Sequence, residues 1–264
     1  MASYRTAIDV LRANPPARPM PARATMPLAA ARTALLAARQ RLAAADIPFF
    51  LCAGTLLGII RNGDLLPYDK DMDIGVPWHI DRRRVLSALL ADGVFQDANT
   101  QKHSDENRQW CISVTHTASP IALDVFFFRD DGDHFLCGFN HLPNPVLSRP
   151  RRFELSTWDW QGVSWLVPTP HENYLADMYG SDWRIPDTDF DTVISSGCQL
   201  PSSWAIRRCY GYARLSERLK TREWRKAAGY CRQMLKHGED PYLEEVLKTI
   251  EQQTLPANRP DNLT

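Results

Sequence analysis

The sequence predicts an α/β domain, α+β in its later half, with a mixed sheet flanked by helices and a helical C-terminal extension. Three observations carry this. Short apolar strand candidates alternate with helical patterns up to Gly93; strand candidates then follow one another hairpin-fashion between residues 110 and 139; and helical spacing returns from Ser203 onward. No segment repeats another.

The elements follow in order. Five prolines before residue 28 (Pro15, Pro16, Pro19, Pro21, Pro27) predict a flexible arm over residues 1–27, with a short helix around Tyr4 to Arg12 as the one regular piece. Ala29 to Ala45 (AAARTALLAARQRLAAA) holds strong helix formers with no internal Gly or Pro and stops before Asp46-Ile47-Pro48, so it predicts a helix. PFFLCA (Pro48 to Ala53) reads as a buried strand, and Gly54-Thr55 opens a helix through Leu56, Leu57, Ile59 and Ile60 that ends at the Asn62-Gly63 turn. After Pro67, Asp69 to Val76 alternates acids with other residues, as a strand facing a cleft does. Ile80 to Gly93 has Val85, Leu86, Leu89 and Leu90 at helical spacing with Gly93 as terminator.

Trp110 to Thr117, Ile121 to Arg129 and His134 to Phe139 are strand candidates, with Asp130, Asp131 and Asp133 forming the turn before the last. On the second, Ile121, Leu123, Val125 and Phe127 share one face and Ala122, Asp124, Phe126 and Phe128 the other, which leaves Asp124 as an acid in mid-strand. Thr169-Pro170-His171-Glu172 has the form of a capping box, predicting a helix to Tyr179 that stops at Gly180. Residues 203–237 and 242–253 are helical in pattern. The expected organisation is thus an arm (1–27), a core (28–200), a helical region (201–254) and a disordered tail (255–264).

The chain's 264 residues can bury a large core unaided, and 31 Lys+Arg against 31 Asp+Glu leave no net charge. A balanced chain lacks the basic track of a nucleic-acid binder, so no nucleic-acid partner is expected. Six scattered cysteines, with no C-x-x-C pair, argue against a zinc ribbon and a disulfide scaffold and for a reduced compartment. No apolar run reaches the roughly 18 residues of a membrane span. A cytoplasmic location follows as an expectation.

The chemistry concentrates in GTLLGIIRNGDLLPYDKDMDIGV, Gly54 to Val76. On an extended strand Asp69, Asp71 and Asp73 share one face at roughly 6.5 Å intervals. Three carboxylates aimed into one cleft need positive charge between them, and all-oxygen ligation suits Mg²⁺ or Mn²⁺. With Asp124 from a neighbouring strand, four carboxylates suffice for two ions about 3.5–4 Å apart, the spacing used for in-line displacement at phosphorus. The competing reading is a solvated acidic turn. A calcium loop fails by counting, because Ile74 and Ile80 occupy the positions that demand Gly and Glu. Gly54-Thr55, at the junction of an apolar strand and a helix, offers backbone N–H groups and a hydroxyl to a phosphate, although no P-loop Lys follows. Arg61 either adds a phosphate contact or pairs with an acid such as Asp64.

A glycine turn, an acid-x-acid strand and a third acid on a later strand form the pattern of polymerase-β-like nucleotidyltransferases. More narrowly, Gly54 to Val76 resembles the signature of the LicD/fukutin family, GTLLG…R…(I/L)PWDxDxD(I/L)G, with Tyr68 in place of the Trp. Ala122 to Phe126 is similar to that family's acid-bearing strand, and Pro168 to Pro186 to its closing P…YL…YG…W…P element. The likeness covers about Phe49 to Pro186 and leaves out the arm and the helices after Ser203.

The resemblance implies a nucleotidyltransferase-like fold and metal-dependent transfer of a phospho-alcohol, such as phosphocholine or ribitol phosphate, from a CDP-activated donor to a hydroxyl of a saccharide or lipid-linked saccharide, with release of CMP. It implies that Gly54, Thr55 and Arg61 bind the donor and that Asp69, Asp71, Asp73 and Asp124 hold Mg²⁺ or Mn²⁺, two ions in all. Asp71, Asp73 and Asp124 would then be the catalytic set, with Asp124 either a ligand or the base that takes the hydroxyl proton. Two alternatives stay open: transfer of a nucleoside monophosphate from an NTP, and a non-catalytic metal-binding or scaffold protein. Tyr179 and Trp183 either stack on a base or sugar or pack the helix. His141 and His171 read as surface or helix-end residues. The basic helical segment, from Arg207 to Lys226, either cradles an anionic acceptor at a membrane surface or is a solvated face with local acid partners.

Overall fold

The computed structural model describes residues 26–98, 109–119, 121–140, 145–201 and 204–254. The expected arm, but for its last residues, and the expected tail lie outside the described residues, as does His141. The chain divides into two compact units, one of residues 26–186 and 196–201, the other of residues 187–195 and 204–254.

The first unit begins with helix α1 (Leu28–Ala44), whose buried Ala31, Ala34, Leu35, Ala38 and Leu42 recur at helical spacing and form one apolar stripe. Strand β1 is only Phe50–Leu51, much shorter than the apolar run PFFLCA, because the chain turns into helix α2 (Ala53–Asn62) at once. Gly63, at φ 73°, closes α2 in the left-handed conformation that favours glycine. Strand β2 (Asp71–Pro77) leads through the Asp81 N-cap to helix α3 (Arg82–Leu90), where Asp81 Oδ1 accepts from Arg84 N at 3.0 Å. Strands β3 (Phe95–Asp97), β4 (Cys111–His116), β5 (Ala122–Asp131), β6 (His134–Phe139) and β7 (Val146–Ser148) complete a seven-stranded sheet.

Its main path runs β1-β2-β5-β4-β3, with β6 and β7 continuing from the far end of β5. The sheet is mixed, as expected: β2 and β5 are parallel and every other pair is antiparallel. Met72, Ile74 and Val76 of β2 and Leu123, Val125 and Phe127 of β5 are fully buried on one face of the central pair. The opposite face, at the same register, carries Asp71, Asp73 and Asp124. Asp130 and Asp131 are ladder residues rather than turn formers, paired with Arg152 and Arg149. The turn itself is Gly132-Asp133.

Arg82 fixes α3 to the sheet. It is 5% exposed, with its guanidinium 4.0 Å from the centres of both the Trp78 and Phe127 rings, and it donates to the carbonyls of Gln109, Trp78 and Ile80. Arg82→Ala is expected to cost roughly 3 kcal/mol in urea unfolding, since three carbonyls lose their donor and two rings their cation.

No sequence pattern marks the hairpin of β8 (Glu154–Trp160) and β9 (Val163–Thr169), which forms a separate two-stranded sheet anchored to α2 by Trp160 Nε1 donating to Gly63 O at 3.0 Å. Helix α4 (His171–Tyr179) follows, and the predicted capping box is not formed. Thr169 is still the last residue of β9, its hydroxyl bonded to Ser156, while Glu172 turns to His171 at 3.1 Å. Pro170 is the N-cap. The helix stops at Gly180 as the sequence predicts.

The second unit holds α5 (Thr192–Ser195), α6 (Trp204–Lys220), α7 (Trp224–Leu235) and α8 (Pro241–Thr254). Residues 203–237 are therefore not one helix. Arg222 takes φ 59°, and Glu223, whose N–H bonds Arg218 O and whose carboxylate holds Arg218 and Lys226, starts a new one. Leu215, Leu219, Trp224, Ala227, Cys231, Leu243, Val246 and Ile250 make a core of their own.

Candidate active site

The parallel register of β2 and β5 sets Asp73 directly opposite Asp124 and Asp71 opposite Ala122. Paired residues of adjacent strands share a face, so the three acids project to the same side of the sheet. Ser113 of β4, the antiparallel partner of Asp124, donates from Oγ to Asp124 Oδ1 at 2.5 Å. Asp69 departs from the expected geometry. It lies in the turn before β2, with its N–H on Leu66 O at 3.1 Å, because the strand ladder begins only at Asp71. Its side chain nonetheless acts on the Asp71 carboxyl, and its Oδ2 lies beside Gly54. The cluster is thus built from a turn and two strands rather than one strand face.

The start of α2 holds Asp73 in place. Gly54 N donates to Asp73 Oδ2 at 2.8 Å, while Thr55 Oγ1 accepts from Asp73 N at 2.7 Å. Ala53, at φ 42°, sits in a conformation unfavourable for a side chain, and its N–H is held by the buried hydroxyl of Tyr174 at 3.2 Å. A Cβ on Gly54 would stand 2.5 Å from Asp69 Oδ2 and 3.0 Å from Asp73 Oδ2. Gly54→Ala is therefore expected to displace both carboxylates, costing about 1–3 kcal/mol in thermal or urea unfolding and about tenfold or more in turnover for each 1.4 kcal/mol lost at the site.

Burial raises all three strand acids. Asp71 is raised by burial; Asp73 is pushed far up by burial and then by Asp71, Asp69 and Asp124; Asp124 is pushed up to about 7 by burial and by Asp71, against the pull of Ser113. Among the described residues no Lys or Arg forms an ion pair with Asp71, Asp73 or Asp124, and no three acidic, His or Cys side chains are grouped so as to hold a metal ion by themselves. The oxygen-only donor set, repelling itself and lacking a cationic partner, fits Mg²⁺ or Mn²⁺ in the manner usual for Mg²⁺, one or two carboxylates completed by substrate phosphate oxygens and water.

Residues 46–169, which hold the four acids together with Gly54, Thr55 and Ser113, match the family model described as LicD/FKTN/FKRP, nucleotidyltransferase domain. Over that segment the chain is similar to the LicD/FKTN/FKRP nucleotidyltransferase domain. Two curated relatives carry the name ribitol-5-phosphate transferase FKTN: the human protein is 27% identical over 165 residues, covering 61% of this chain and 34% of that protein, and the mouse protein 26% identical over 181 residues, covering 67% and 38%. The chain thus spans little more than a third of the length of the curated relatives it matches. Among solved structures, the solution structure of antibiotic-resistance factor ANT(2'')-Ia aligns over 86% of this chain and 94% of its own at 11% identity, with a TM-score of 0.39.

The remaining candidate residues stand as follows. Arg61 does not pair with Asp64, which is bound by Arg32. Its Nε donates to Asn62 Oδ1 at 2.8 Å, one terminal nitrogen to Trp183 O at 3.1 Å and the other to Tyr68 Oη at 2.5 Å. Tyr179, at the end of α4, carries a phenol raised by burial and by Asp73 and Asp69, which places it against the acid cluster. Trp183 is buried in the core, in keeping with packing. Ser113 and Tyr174 are additions that sequence reasoning missed. Nothing but polarity marks Ser113 on its strand, and Tyr174 occupies a position that any buried aromatic could fill.

In the helical unit the basic residues are distributed over local acids: Arg208 on Asp240 at 2.7 Å, Arg214 on Glu217 at 3.0 Å, Arg218 on Glu223 at 2.6 Å, Arg232 on Asp189 at 2.8 Å. This is the arrangement of a solvated, salt-laced face. No helix among the described residues is long and apolar enough to cross a membrane.

Proposed function

We propose that the domain transfers a phospho-alcohol from a CDP-activated donor to a hydroxyl of a saccharide or lipid-linked saccharide, releasing CMP. The observation that carries the reading is the Asp73–Asp124 register pair with Asp71 on the same face, locked by Gly54, Thr55 and Ser113. The family and the printed name of the relatives, ribitol-5-phosphate transferase, support phosphorus-group transfer with ribitol phosphate as one group carried.

In this reading Asp69, Asp71, Asp73 and Asp124 hold one or two Mg²⁺ or Mn²⁺ ions, which neutralise charge on the donor phosphates when bound. The start of α2, at Gly54 and Thr55, lies at the phosphate edge of the cleft, where its first task is to orient Asp73. Asp124 keeps two alternative roles, a fourth ligand of the ions or, where it is not bound to one, the base that takes the proton of the attacking hydroxyl, for which a metal-free carboxyl near 7 is suited. Tyr179, half-buried and acted on by Asp73 and Asp69, limits water around them.

The test is incubation with Mg²⁺ or Mn²⁺ and CDP-choline, CDP-ethanolamine, CDP-glycerol and CDP-ribitol in turn, following CMP. CMP release from at least one, dependent on an acceptor saccharide, is the expected result. The nucleotidyltransferase description of the matched family keeps a second reading in play. Pyrophosphate release from an NTP, with no CMP from any CDP-alcohol, would establish it, and inertness towards both donor classes would favour a non-catalytic role.

A further inference from the structure

The geometry points to Arg184, and not Arg61, as the cation of this domain that meets the pyrophosphate of a nucleotide donor, with Arg61 a positioning residue behind it. Arg61 is the cation of the sequence signature, but its three donor nitrogens are all committed within the protein, to Asn62, Trp183 and Tyr68. With three of its five N–H groups so used, one on each nitrogen, the guanidinium is held in one orientation by the protein and is less able to turn a parallel pair of N–H groups towards phosphate. Its contacts instead join three pieces of the cleft wall: the end of α2, the residue immediately before Asp69, and the segment after α4.

That last segment carries the available charge. Trp183 is 5% exposed, held through its carbonyl by Arg61, and the Arg184 guanidinium rests 4.2 Å from the centre of its ring. Arg184 is exposed and, among the described residues, has no hydrogen bond and no acid partner. The stacked ring limits the positions its long side chain can take while leaving every N–H open, so less ordering remains to be done on binding. Tyr179, at the end of the helix that leads into this segment, has a phenol raised by burial and then by Asp73 and Asp69. Through Arg61, the Trp183 carbonyl next to Arg184 is tied to Tyr68, the residue before Asp69, so Arg184 adds an exposed cation to the segment that Arg61 holds against that turn. The nearest competitor is Lys70, which stands between Asp69 and Asp71 in sequence, is exposed, and acts electrostatically on Asp71.

The inference deepens the proposed function and rests on a pyrophosphate-linked donor. Its test is calorimetric titration of the full chain with CDP and with inorganic pyrophosphate, each with Mg²⁺, for wild type, Arg184→Ala, Arg184→Lys, Lys70→Ala and Arg61→Met. Loss of one charge-assisted contact to phosphate is expected to weaken CDP binding about tenfold in Arg184→Ala, with partial recovery in Arg184→Lys, little change in Lys70→Ala and an unaltered melting temperature. In turnover the loss falls on the donor KM. Arg61→Met is expected to lower the melting temperature and kcat, because the Tyr68–Asp69 turn is released. The assignment is overturned if Arg184→Ala binds both probes as wild type does, if Lys70→Ala alone weakens them, if Arg61→Met matches the Arg184→Ala loss while keeping its melting temperature, or if wild type binds neither probe. Weakened binding in Arg184→Ala, together with no CMP release from any CDP-alcohol, would instead uphold Arg184 and remove the phospho-alcohol reading.

Discussion

Asp71→Asn is expected to reduce turnover by about 10³-fold or more while leaving the melting temperature unchanged or higher. The loss follows from removing one of the carboxylates that face the cleft, where the charge stabilised on the reacting phosphate is worth several kcal/mol and each 1.4 kcal/mol is tenfold in rate. The stability expectation follows from the surroundings of the side chain. Asp71 forms no ion pair among the described residues and loses only the attraction of Lys70, its carboxyl is raised by burial, and an amide can sit beside Asp69 without like-charge repulsion. Asp73→Asn would be a poorer test, because Asp73 Oδ2 also accepts the Gly54 N–H and a rotated amide would disturb the start of α2. Measured kcat/KM and thermal unfolding of Asp71→Asn together decide the matter: retained turnover removes Asp71 from the site, and a marked fall in melting temperature makes it structural.

The parts of this molecule legible in the sequence are those where one physical signal acts alone. The α1 stripe, the alternation along β5 and the Gly180 stop are local patterns, and they stand within a residue or two of their expected places. The pairing of Asp73 with Asp124 can be suspected from sequence but not read, because register between strands some fifty residues apart is set by packing over the whole β2–β5 face. Asp69 is misplaced on the strand for a related reason: alternation of acids continues smoothly from turn to strand, and only the hydrogen-bond ladder distinguishes them. The β8–β9 hairpin escapes notice because β8 is exposed along all but its last residue, so it has no apolar alternation to detect. Its remaining signal is the Gln161-Gly162 pair at φ 54° and 71°, a two-residue turn that lacks the Asn or Asp usually seen before the glycine. Thr169 misleads for the opposite reason, since a capping-box pattern arises where a cross-strand hydroxyl pair with Ser156 already engages the side chain.

The acid cluster also predicts how the metal-free protein responds to pH. A carboxyl whose pKa is higher in the folded state binds more protons folded than unfolded, so its contribution is fully present below the unfolded value and is lost as pH rises through the folded one. For Asp124 that window runs from the ordinary 3.8 to about 7, and Asp71, Asp73 and, in the helical unit, Asp191 are displaced in the same direction. His237 works the other way below its ordinary 6.5, since burial and Arg207 lower its value and its neutral form is the one favoured by folding. Asp64 and Glu223, held low by Arg32 and Lys226, lose their contributions only below about pH 4, outside the window. Metal-free protein is therefore expected to unfold at progressively lower temperature from pH 4 to pH 7. The loss is on the order of a few kcal/mol, since each tenfold difference in proton affinity between the folded and unfolded chain is worth about 1.4 kcal/mol. Asp124→Asn should flatten part of that slope, because the amide has no charge to acquire and no longer opposes ionisation of Asp73, while Asp71, Asp73, Asp191 and His237 are common to both proteins. Mg²⁺ or Mn²⁺ added at pH 7 should raise the wild-type melting temperature, since a cation favours the ionised carboxylates, and should do so less in Asp124→Asn. Equal slopes for the two proteins from pH 4 to 7 would show that Asp124 ionises in the folded state at its ordinary value, and with it would go the suitability of that carboxylate as the proton acceptor.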